Sequence, residues 1–145
     1  MIKKIKILFI VFIFLNIVKP IFSAENFFEQ GQQKYKEKKF DASKFLFQRS
    51  IIFDPKDAKS YLYLAKIYKL EKNEKEEEKN INTVLLLEPK NEEAIYILME
   101  IQLKQSNYLK VKELSEKFTK VCKNLCKKNK SILESLKNLD PKNDS

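Results

Sequence analysis

The chain of 145 residues has no histidine and no tryptophan, one glycine, four prolines, two cysteines and a single arginine, Arg49, among 29 basic residues. Each scarcity excludes something. Without histidine there is no side chain that ordinarily shuttles a proton near neutral pH, so Ser-His-Asp and Cys-His nucleophile pairs and imidazole metal sites are ruled out. The lone glycine, Gly31, cannot build a phosphate-cradling loop, because both nucleotide fingerprints need several residues that accept positive φ or close backbone approach. No catalytic residue, no metal site and no cofactor is therefore expected. What remains is 34% charged and 43% hydrophobic. With so little Gly and Pro it reads as all-α, with few chain reversals that demand special dihedrals.

The formal charge of +9 invites a nucleic-acid reading, but the composition argues against it. Arginine is the side chain that grips guanine and phosphate bidentately, and here nearly every cation is lysine. Lys3, Lys4, Lys6 and Lys19 moreover belong to an N-terminal address, and without them 25 basic residues face 20 acidic ones.

That address occupies residues 1–24. A basic stretch, Met1 to Lys6, leads into an apolar run from Ile7 to Val18 broken only by Asn16, and Pro20 to Ala24 ends in small residues, the pattern of a secretory signal. The run is short of the roughly 20 apolar residues of a membrane span. Cleavage after Ala24 would put Phe22 where a small side chain is preferred, so an uncleaved N-terminal anchor is the alternative. No cysteine lies at the junction to carry a lipid. The remainder is expected to be exported and to work in a bacterial periplasm, or to face it from an inner-membrane anchor.

Two similar turns, Asp54-Pro55-Lys56-Asp57 and Glu88-Pro89-Lys90-Asn91, recur with a period of 34 in the numbering. At that period Phe27, Tyr61 and Ile95 align, as do Leu64 with Leu98, Gly31 with Ala65 and Met99, and Ser50 with Val84 and Phe118. Tyr61, Leu64, Ala65 and Tyr68 share one helix face, and Ile95, Leu98, Met99 and Gln102 repeat it with the last member polar. Phe45, Phe47, Ile51 and Ile52 enrich the helix after Phe40. Asp57 and Asn91 stand where an N-cap belongs, just after a proline that closes the preceding helix. The pattern predicts helix pairs at about 25–37 with 40–53, 58–71 with 74–87, and 92–105 with 108–121, in units 25–55, 58–89 and 92–121. A Cys/Lys-rich connector, 122–130, leads to a capping helix and tail, 131–145. Ser131 followed by Glu134 reads as a capping box, and Ile132, Leu133, Leu136 and Leu139 supply an apolar stripe. In the middle unit Glu74 replaces the aromatic of its neighbours, Phe40 and Tyr108, and Glu77 replaces Ser43 and Val111. The run Glu74 to Glu78 is thus expected to be solvated or frayed.

The period and its turns resemble the tetratricopeptide repeat (TPR) family. The resemblance implies a right-handed superhelical stack of three antiparallel helix pairs with a C-terminal cap. It also implies a protein or peptide partner held on a concave face lined by the first helix of each pair. Mapped onto this chain, that face comprises Phe28, Gln32 and Tyr35, then Leu62, Tyr63, Lys66 and Lys69, then Tyr96, Ile97, Glu100 and Leu103. Leu62 and Gln32 fall among the positions of the family's carboxylate clamp without reproducing it, which disfavours capture of a chaperone tail.

Cys122 and Cys126 invite a second reading. On an unbroken helix their Cβ atoms would be about 5–6 Å apart, too far for a disulfide, so a bond requires the backbone to turn around Asn124. A structural disulfide, two free thiols, and a redox or metal role are the alternatives, although C-x-x-x-C is not the spacing of thiol oxidoreductases. The adjoining Lys123, Lys127, Lys128 and Lys130 could meet an acidic partner or an anionic membrane surface, or be a plain solvated face. The function expected is an exported, non-enzymatic adaptor that helps assemble a cell-envelope complex. A thiol-redox or metal-trafficking accessory and a membrane-anchored assembly factor are the alternatives.

Overall fold

The period seen in the side chains governs the backbone as well. The computed structural model describes residues 24–139, which form seven helices: α1 (Ala24–Lys36), α2 (Phe40–Phe53), α3 (Ala58–Leu70), α4 (Glu74–Leu87), α5 (Glu92–Lys104), α6 (Tyr108–Val121) and α7 (Cys126–Leu139). Successive helices pack in pairs, α1 with α2, α3 with α4 and α5 with α6, and each pair packs on the next, an all-α stack. The signal or anchor expected at 1–24 lies outside the described residues except for Ala24, which opens α1, and the tail 140–145 lies outside them too. Among the described residues no helix is long and apolar enough to cross a membrane.

Within each pair the chain reverses through one left-handed residue. Lys38, Lys72 and Ser106 have φ of 59°, 57° and 59° and recur at the same period. In all three turns that residue donates its N–H three residues back and the next residue donates five back: Lys38 to Tyr35 and Lys39 to Lys34, Lys72 to Lys69 and Asn73 to Tyr68, Ser106 to Leu103 and Asn107 to Gln102. This double closure satisfies the last carbonyls of a helix and usually employs glycine. The scarcity of glycine therefore does not mean a scarcity of demanding dihedrals; two lysines and a serine bear them.

Between pairs the turns are Pro55 and Pro89 turns, and the expected caps are in place. Asp57 accepts the N–H of Ser60 at 3.3 Å and Asn91 that of Ala94 at 3.0 Å. Inside, Phe47, Ile67, Ile81, Val84, Ile95, Met99, Val111 and Phe118 are fully enclosed. Gly31 is required by contact, since a Cβ there would lie 2.7 Å from Cε1 of Phe47. Phe45 and Ile52, by contrast, are exposed at 57% and 73% and do not join the core of α2.

Two expectations need correction. The acidic run is neither frayed nor freely solvated: α4 begins at Glu74, Asn73 caps it by accepting the N–H of Glu76, and Glu77 is only 2% exposed. Carboxylates in a first turn complement the amide end of the helix dipole. Glu74 pairs with Lys104, Glu76 with Lys79, and Glu78 accepts from Gln102 and Gln105. The last helix also begins five residues before Ser131, which leaves Ser131 inside α7 and not at its cap. Asn129 holds that extra turn against α6: its Oδ1 accepts from Ser115 at 2.8 Å and its Nδ2 donates to Thr119 at 2.9 Å.

Candidate functional site

The face built by the first helices of the pairs is organised by a register of one period less about one helical turn. Gln32 donates to the Tyr63 hydroxyl at 2.9 Å, 31 residues on, and Lys69 pairs with Glu100 at 2.7 Å, at the same separation. Neighbouring first helices run parallel with that offset, so opposite charges or hydrogen-bonding groups so spaced meet across the stack. Lys66 reaches two turns back along the next helix, to Glu93 at 2.8 Å.

The N-terminal half of the face is a packed aromatic cluster. Tyr63 stacks on Phe47 at 4.9 Å between centroids and meets the edges of Tyr35 at 5.2 Å and Phe28 at 5.8 Å. Each such pair contributes about 0.5–1.5 kcal/mol beyond its buried area. Phe28 and Tyr63 thus hold the stack together and present only their rims. Leu62, expected on the binding face, is buried in the core instead, and Leu103 is half-buried against it.

The C-terminal half opens into a cleft of about 270 Å³ floored by the buried Ile97 and walled by Tyr35, Leu70 and Tyr96. Lys66, Lys69, Glu93, Glu100 and Lys128 complete its lining. The Tyr96 hydroxyl donates to Glu100 at 2.7 Å. Burial, and then that bond, push the Tyr96 pKa up to about 12. Burial alone would raise Glu100 as well, but the ammonium of Lys69 and the hydroxyl of Tyr96 outweigh it and hold the carboxyl below its ordinary value. Glu77 sits near this network, and there burial wins over the pull of Lys69 and Lys104 and raises its carboxyl. Lys66 also lies over the Tyr63 ring at 4.8 Å, and Lys128, contributed by α7, lies over Tyr96 at 4.5 Å. The cations of the cleft are therefore already engaged, and an acidic ligand must exchange with Glu93 or Glu100 to reach Lys66 or Lys69.

Sequence reasoning missed Glu92, Glu93, Leu70 and the placement of Lys128. The signal that links Glu92 to Lys123 is the same separation that links Lys69 to Glu100. Lys128 could not be assigned because its side of the stack depends on where α7 starts.

At the other end of α6 the two cysteines form a disulfide with Cα atoms 5.3 Å apart. Cys122 stands one period after Glu88 and two periods after Asp54, and like them it ends a helix by donating its N–H four residues back. The cystine thus spans the position of the Pro55 and Pro89 turns and feeds α7 into the register of a fourth first helix. Glu92 accepts the N–H of Lys123 at 2.6 Å, of Asn124 at 3.1 Å and of Leu125 at 3.4 Å. Those amides, Lys123 first, hold the Glu92 carboxyl below its ordinary pKa.

No protein-family model matches the sequence, and no curated protein matches it. Solved structures do share the fold. The TPR domain of Arabidopsis OM64 superposes with a TM-score of 0.70 at 16% identity, covering 80% of this chain and 95% of that one. The Yersinia enterocolitica type III secretion chaperone SycD, in complex with a peptide of the translocator YopD, superposes at 0.71 with 13% identity over 87% and 100%. The first TPR of Spaghetti (RPAP3), bound to an HSP90 peptide, reaches 0.67 with 17% identity over 79% and 93%. The fold of this chain is that of a tetratricopeptide repeat stack.

Proposed function

We propose that the chain is a non-catalytic scaffold or adaptor that holds a peptide or protein partner in the cleft between α3, α5 and α7. The observation that carries this reading is the cleft itself: an apolar floor and wall, Ile97 and Leu70, lie beside the exchangeable pairs Lys66–Glu93 and Lys69–Glu100. Peptide complexes among structures of the same fold support it. A segment with an aliphatic side chain next to a carboxylate suits this lining, the aliphatic group displacing water from Leu70 and Tyr35 while the carboxylate takes over a lysine. With the N-terminal address, the setting we infer is the cell envelope, where the chain helps assemble a complex from the periplasm or from a membrane anchor. The cysteines serve the fold on this reading, because they close a turn that proline closes elsewhere. A photo-crosslinker placed at Leu70 should capture a defined partner in envelope extract, and Lys66→Glu with Lys69→Glu should abolish the adduct. Recovery of no partner, or an adduct indifferent to charge reversal, would count against the cleft.

A further inference from the structure

The charge of the described chain is unevenly placed. Residues 24–107 hold 15 basic and 15 acidic side chains, whereas residues 108–139 hold nine basic and three acidic ones. The fold draws part of that excess into one place. Lys90 from the α4–α5 turn, Lys117 and Lys120 from the end of α6, and Lys123 from the disulfide loop line a single cleft of about 680 Å³ with Pro89 and Val121. Among the described residues none of the four meets a carboxylate at salt-bridge distance, while Lys44, Lys66, Lys69 and Lys104 each pair across helices. Lys123 is held in place from both sides, by the cystine at Cys122 and by Glu92 on its backbone N–H. No residue of this cleft lines the one between α3, α5 and α7.

We propose that this lysine cleft binds the phosphate head group of anionic lipids and seats the α6–α7 end of the stack on a membrane surface. Four lysines lining one cleft without a carboxylate partner give it an uncompensated positive charge, which a phosphate neutralises. Pro89 and Val121 give the cleft apolar lining beside its lysines, which fits a head group with its glycerol attached better than a bare hydrated ion. Each lysine near an anionic surface strengthens binding about fivefold. The attraction fades beyond a Debye length of about 8 Å at physiological salt. The site is separate from the partner cleft, so one molecule can hold both at once.

The test is partition of the full chain onto vesicles of phosphatidylglycerol and phosphatidylcholine compared with phosphatidylcholine alone. Using the full chain in every arm makes the contribution of the apolar N-terminal segment common to all. Lys117→Gln with Lys120→Gln should weaken partition onto anionic vesicles about 25-fold and leave neutral vesicles and the thermal melt unchanged. Lys36→Gln with Lys75→Gln, which removes the same charge elsewhere, should leave anionic partition within about threefold of the parent. Equal losses in the two double variants, or none in the first, would overturn the site. Displacement from vesicles by millimolar inorganic phosphate at constant ionic strength would overturn the lipid source by assigning the cleft to free phosphate.

Discussion

The Glu92 carboxylate accepts the backbone N–H of Lys123 at 2.6 Å, tying the first residue of α5 to the loop that launches α7. The bond is charge-assisted and the amides favour the ionised form, so its contribution is present above the ordinary carboxylate value of 4.5 and is lost as pH falls through the lower folded value. The protection of the Lys123 to Leu125 amides, relative to their intrinsic exchange rates, should therefore fall as Glu92 is protonated, at a pH below its ordinary value of 4.5 and before the rest of the stack opens. Glu92→Gln should give the lowered protection already at pH 7. Amides that stay protected in that variant would show that the cystine alone orders the loop.

Glycine should be welcome at the three left-handed turns. An L-residue there costs roughly 1–2 kcal/mol, against about 0.4–1 kcal/mol for the extra freedom glycine brings to the unfolded chain. Lys72→Gly and Ser106→Gly are each expected to stabilise by about 0.5–1 kcal/mol and to raise the melting temperature by roughly 3 °C. Calorimetry that finds either variant less stable would contradict the turn geometry.

Gly31 demands the opposite. Alanine improves helix propensity by about 1 kcal/mol, but its Cβ would sit 2.7 Å from a Phe47 ring that is itself fully buried against Phe28 and Tyr63. Overpacking of this kind costs roughly 1–3 kcal/mol. Gly31→Ala should destabilise on balance, and the same change in a Phe47→Leu background should cost measurably less in denaturant melts. Equal costs in both backgrounds would mean that the ring is not what excludes the side chain.

Breaking the cystine tests how α7 is held. Closing so small a loop stabilises by at most about 2 kcal/mol on the chain-entropy model, and α7 buries only Ile132 and Leu136. Cys122→Ser with Cys126→Ser should therefore release α7 locally and leave the three pairs folded. Lys128 would then leave the Tyr96 ring, a change visible in the Tyr96 side-chain resonances. A variant that loses all helicity on mild heating would show instead that the cap is integral to the stack.

Much of this molecule was legible in its sequence because its contacts repeat. Asp54-Pro55 and Glu88-Pro89 marked the period, and the caps Asp57 and Asn91 marked the helix starts. Apolar spacing placed Leu64, Leu98 and Val84 inside, since side chains on one helix face must meet the same neighbour at every repeat. Side-chain polarity misleads where the register does not: Ile52 is exposed, as is Leu86 one period on, and Glu77 is enclosed because it occupies the position of the buried Ser43 and Val111.

The linear order of residues determined the helices, their pairing and the absence of histidine chemistry, all consequences of local propensity and a fixed period. Tertiary structure alone decided which lysines act together. Lys123 and Lys128 are near neighbours in the chain, yet the disulfide turn sends one to a cleft with Lys90, Lys117 and Lys120 and the other onto Tyr96 across the stack. Long flexible cations take their neighbours from wherever the backbone sets them down. In this chain that placement rests on a cystine, three amides and the carboxylate of Glu92, one helix pair earlier.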